Sequence, residues 1–171
     1  MSRSSSQTQT NDKPLFMRSL MDLQDPALYQ TGLRGPAETG LPQVAIDMMA
    51  SAAKSRADAH YTHGEWEQAR DAYLEAAIFL TSDPKFHTTT MLNCAAASLK
   101  LKKWEEVLCH TSEVLEADPK SIKALFRSAR ALIELRNFEE ALDCCDRALS
   151  IEPNNQSLRQ ERQTAERGLR A

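Results

Sequence analysis

Lys123, Arg127 and Arg130 stand four and then three residues apart in the stretch KSIKALFRSAR, so a helix through them carries three cations on one face. Cations aligned in this way form either a solvated flank or one wall of a site that holds an anion through charge-assisted hydrogen bonds. The other side chains able to do chemistry are less well placed. Cys94, Cys109, Cys144 and Cys145 contain no Cys-x-x-Cys pair, so a zinc site would lack its usual close ligand spacing. His60 and His63 are three apart and can share an ion on a helix, but nothing near them supplies a third and fourth ligand. Phosphate-binding Gly loops, HExxH and nucleophile-elbow motifs are absent. The expectation is a binding protein that uses no metal and no cofactor, and is not an enzyme.

Composition narrows the partner. A formal charge of −3 does not suit sequence-independent nucleic-acid binding, which needs a basic surplus. No apolar run approaches the roughly 20 residues of a membrane span, and MSRSSSQTQTNDK lacks the apolar centre of a signal peptide. A cytoplasmic protein with reduced thiols is expected, with neither nucleic acid nor membrane as a partner. Hydrophobic residues make up 42% of the chain while aromatics are only 6% and glycines number 5, a balance of aliphatics and Ala that favours an all-α fold.

The elements that position the cations follow from spacing. Residues 1–42 are expected to be a disordered N-terminal segment, interrupted by a short apolar motif at 14–21. Leu15, Phe16 and Met17 in that motif either dock onto the folded domain or form a linear motif for a second protein. From 43 onward helical periodicity sets in and repeats. Trp66, Trp104 and Phe138 are each followed three residues later by Ala69, Val107 or Ala141, and seven later again by Ala76, Val114 or Ala148. Trp104 to Phe138 and Pro119 to Pro153 are both intervals of 34 residues.

A 34-residue unit of two amphipathic helices is the tetratricopeptide signature. It predicts an all-α, right-handed α-solenoid of three helix pairs at about 47–82, 86–119 and 120–153, and a polar capping helix at about 154–170, within a domain spanning 43–171. Ala95 and Ala129 mark close helix approaches, and Pro119 and Pro153 end second helices. Trp66 to Trp104 is 38 residues, which places four extra residues in LTSDPKFHT between the first two pairs. The first helix of each pair lines the concave face of such a solenoid, and Lys54, Asp58, Asn93, Lys123 and Arg127 take groove-facing register positions there.

These positions resemble the carboxylate-clamp class of tetratricopeptide co-chaperones, which hold the Glu-Glu-Val-Asp C-terminus of the seventy- and ninety-kilodalton heat-shock chaperones. The resemblance covers roughly residues 47–155. It implies that Lys54, Asn93, Lys123 and Arg127 bind the peptide carboxylates. Asp58 departs from the family's Asn and is expected to repel them unless Lys54 neutralises it or the ligand shifts toward Arg127 and Arg130. The segment DKPLFMRSL is also loosely similar to the tetratricopeptide repeat protein 4 group of chaperone adaptors. The resemblance therefore implies a chaperone-binding adaptor; the alternative is a scaffold or assembly factor that holds a non-chaperone partner through the groove and the motif at 14–21.

Overall fold

In the computed structural model, residues 39–171 are described. Among them run seven helices: α1 Gln43–His63, α2 Trp66–Ala77, α3 Phe86–Lys100, α4 Trp104–Ala117, α5 Ile122–Glu134, α6 Phe138–Ile151 and α7 Gln156–Arg170. Each helix packs on the next in sequence, α3 also meets α5, and α7 also meets α5. The chain is an all-α helical repeat in which α1, α3 and α5 open the three pairs and α7 closes the stack.

The turns inside the pairs share one device. Gly64 ends α1 with φ of 78°. Its N–H donates to Tyr61 O at 3.1 Å and the next, that of Glu65, to His60 O at 2.9 Å. Left-handed backbone suits glycine, yet Lys102 and Arg136 occupy the same place in the later pairs with φ of 58° and 62°. The repeat thus imposes the turn even where the residue opposes it.

The extra length of the first unit falls where the register put it. Eight residues, 78–85, separate α2 from α3, whereas four, 118–121 and 152–155, separate the later pairs. This longer connection is tied back to α1: the Asp47 carboxylate accepts from Ser82 N at 2.8 Å and Ser82 Oγ at 2.6 Å.

Packing is carried by small and aliphatic side chains. Ala95 and Ala129 are fully buried, as are Leu74, Met91, Leu125 and Leu158; each large side chain so buried contributes roughly 1.5–3 kcal/mol. Cys94, Cys144 and Cys145 lie in this interior and Cys109 is half-buried. At the capping helix, a Cβ added to Gly168 would sit 2.3 Å from Phe138 Cε1, so the aromatic ring of α6 rests directly on α7 backbone. The cap's outer face is polar and Arg-rich, which lets the stack end in water.

A cleft between the first helices

Helical spacing on α1, α3 and α5 turns one side chain per turn toward the same face, and the solenoid stacks these helices side by side. The result is a cleft of about 290 Å³ lined by Asp58, Tyr61 and Thr62 of α1, Tyr73 of α2, Asn93 and Ala96 of α3, and Arg127 of α5. The small Ala96 leaves room for it, while Tyr61 is held by an edge-on contact with the Trp66 ring, centroids 4.9 Å apart. A second cleft of about 260 Å³ adjoins it through Tyr61, Ala96 and Arg127 and continues to Leu99, Lys100, Phe126 and Arg130.

Arg127 is the electrostatic centre of the cleft. Its Nη1 donates to the Leu92 carbonyl at 2.5 Å, which fixes the guanidinium against α3. Burial lowers its pKa from the ordinary arginine value, with Tyr61 and Tyr73 pulling the other way. A guanidinium carries five N–H donors, so one bond to a carbonyl leaves most of its capacity unspent. Among the described residues neither Arg127 nor Lys123 forms an ion pair, whereas Lys54 and Arg130 do.

The α1 wall is different. Lys54 Nζ lies 2.8 Å from Asp58 Oδ2, one helical turn away. The other oxygen, Oδ1, accepts from the Tyr73 hydroxyl at 2.6 Å. Tyr73 is buried, and burial followed by its bond to Asp58 raises the pKa of the phenol, which stays protonated and donating. Asp58 therefore has its charge balanced and both oxygens engaged.

Asp58, Asn93 and Arg127 come together in one cleft, and Lys54 joins them through Asp58. Lys123 is exposed one turn before Arg127 and does not line the cleft. Arg130 lies in the adjoining cleft, where its guanidinium sits 5.9 Å from the Phe126 ring centroid and 3.4 Å from Glu161 Oε1 on the cap. Leu15, Phe16 and Met17 lie outside the described residues. His60 and His63 are spent separately, on Glu65 and on the Ala59 carbonyl. No group of three metal-ligating side chains occurs among the described residues, and no helix there is long and apolar enough to cross a membrane.

Tyr61 and Tyr73 line the cleft, and the register did not single them out. A signal for Tyr73 was present: its counterparts one and two repeats on are Thr111 and Cys145, so the first pair alone has an aromatic hydroxyl at that place.

Comparison with known proteins agrees with this architecture. Residues 122–155 match the tetratricopeptide repeat family. The mitochondrial import receptor subunit TOM70 of Homo sapiens is 37% identical over 95 residues, 55% of this chain and 16% of the receptor. The Hsp70/Hsp90 co-chaperone cns1 of Schizosaccharomyces pombe is 26% identical over 151 residues, 86% of this chain and 41% of that protein. The chain thus spans less than half of either relative. Among solved structures, the TPR2B domain of yeast Sti1 in its complex with pHsp70 superposes with a TM-score of 0.61 at 25% identity, covering 70% of this chain and 98% of that domain. Residues 122–155 are thus matched as one tetratricopeptide repeat, and the helices from α1 to α7 share the fold of tetratricopeptide-repeat domains.

Proposed function

We propose that this chain is a cytoplasmic co-chaperone adaptor whose cleft binds the acidic C-terminal peptide of a heat-shock protein 90 or 70 chaperone. The observation that carries the reading is Arg127, a partly desolvated cation without an ion pair among the described residues, facing a cleft that also holds Asn93. A peptide carboxylate would take a forked pair of bonds from Arg127 and an amide bond from Asn93, with Lys123 and Lys54 adding charge from the two sides. Charge-assisted bonds of this kind are worth about 1.5–3 kcal/mol each. The named co-chaperone relative and the pHsp70-bound domain support this class of ligand.

Calorimetric titration of the full chain with a Glu-Glu-Val-Asp-ending peptide tests the reading. Binding is expected for the wild type and its loss for Arg127→Ala; equal affinity of the two proteins would refute it.

A second reading, a scaffold for a non-chaperone protein, draws on the start of α1. Val44 and Met48, one turn apart, are 70% and 69% exposed and form an apolar stripe there, apart from the residues that line the cleft. It predicts that pull-down of the partner survives Lys123→Ala with Arg127→Ala and is abolished by Leu15→Asp with Phe16→Asp; the opposite pattern excludes it.

A further inference from the structure

We infer that Asp58 is a specificity-determining residue that lowers the cleft's preference for a free carboxylate, making the α1 side a receptor for a hydrogen-bond donor and the α5 side the receptor for the anion. This rests on the proposed function and deepens it.

Three observations converge. Asp58 lines the same cleft as Arg127, so a ligand filling the space meets both. Its side chain remains 46% exposed despite its two bonds, and a carboxylate offers about four lone-pair sites, so two still face outward. Lys54, its ion-pair partner among the described residues, is 27% exposed and drawn to Asp58 at 2.8 Å, which removes from the cleft the charge that would otherwise draw an anion to α1.

The Tyr73 hydroxyl donates to the carboxylate at 2.6 Å and so restrains Asp58 from turning away when an anion enters. A ligand carboxylate placed against α1 would find no free cation there, because Lys54 is held by Asp58, while an amide N–H, a hydroxyl or an ammonium group would gain an acceptor. On the α5 side, Lys123 and Arg127 form no ion pair among the described residues and leave positive charge uncompensated. The cleft is polarised across its width. A fitting ligand is an acidic peptide end whose carboxylate lies toward α5 and whose backbone N–H or donor side chain points toward α1.

The test is a cycle of two proteins and two peptides. The wild type and Asp58→Asn are each titrated with the Glu-Glu-Val-Asp-ending peptide as free acid and as C-terminal amide. Asn keeps the shape and can still accept from Tyr73, and Asp58→Ser provides a second neutral variant if Asn impairs folding. The ratio of free-acid to amide affinity is expected to widen about tenfold on neutralising Asp58. An unchanged or narrowed ratio, with Arg127→Ala still costing affinity, overturns the role of Asp58 and leaves the carboxylate-binding reading standing. Absence of binding by every protein overturns both.

Discussion

The two walls of the cleft each carry a lysine one helical turn before a cleft-lining residue and end with different fields. On α1, Lys54 has an acid four residues ahead, and the two close an ion pair at 2.8 Å. On α5, the residue four ahead of Lys123 is Arg127, and four behind is Pro119, so the helix supplies no acid to either cation. The i, i+4 neighbour decides whether a cation is spent within its own helix or left for a ligand. Counting basic residues along the groove gives one on α1 and two on α5; the geometry widens that difference, because the one on α1 is already paired.

The contrast can be broken most strongly at Arg127. Its replacement by Ala removes a partly desolvated guanidinium and at least two ligand bonds, and should weaken the acidic peptide by about a hundredfold in calorimetry. The Leu92 carbonyl loses its donor in the same change. The melting temperature of the variant, read beside its affinity, separates that structural loss from the loss of ligand bonds.

Acid should loosen the scaffold that holds the walls together. His110 on α4 is 4% exposed, and both its ring nitrogens are buried without a partner among the described residues. Burial lowers its pKa to about 4 from an ordinary 6.5, against the opposing pull of Glu106 and Glu113. The unfolded chain therefore takes up a proton that the folded one refuses, and stability present above pH 6.5 is lost as pH falls toward 4. At pH 5 this amounts to about 2 kcal/mol. His110→Leu should flatten the urea-unfolding profile between pH 7 and 5; an equally steep profile would remove His110 as the cause.

The smaller effects sharpen the comparison. Lys123→Ala is expected to cost about tenfold in peptide affinity, with a shallower dependence on salt, since it withdraws an exposed but unpaired charge. Removing the α1 pair together, Lys54→Ala with Asp58→Asn, should cost only about threefold, because the two charges already balance each other. A loss equal to that of Lys123→Ala would show that the walls work alike.

Much of this organisation is legible in the chain itself. The recurrence of Trp66, Trp104 and Phe138 located the second helices, and the 38-residue first interval located the longer connection between α2 and α3. Ala95 and Ala129 marked buried helix crossings because no larger residue fits there. The same register brought Asp58, Asn93 and Arg127 to one face, and the structure seats them in one cleft.

What the register could not give are bonds between helices. The Tyr73 hydroxyl reaches Asp58 across 15 residues of sequence, and Arg127 reaches the Leu92 carbonyl across 35. Such pairs depend on rotamers and on the separation of packed helices, neither of which a period of 3.6 or 34 encodes. The Lys54–Asp58 pair was foreseeable because it lies within one helix. The apolar motif at 14–21 lies outside the described residues, and substitution at Leu15 and Phe16 tests its role.

The central claim is that a ligand's carboxylate lodges against Arg127. It is tested most directly by following the Arg127 Nε–Hε resonance of the isotope-labelled full chain during titration with the free-acid peptide. A downfield shift of that proton, saturating with the affinity measured by calorimetry, is the predicted result. An unmoved Arg127 signal at saturation, with shifts confined to α1 or to the chain before residue 39, would contradict it.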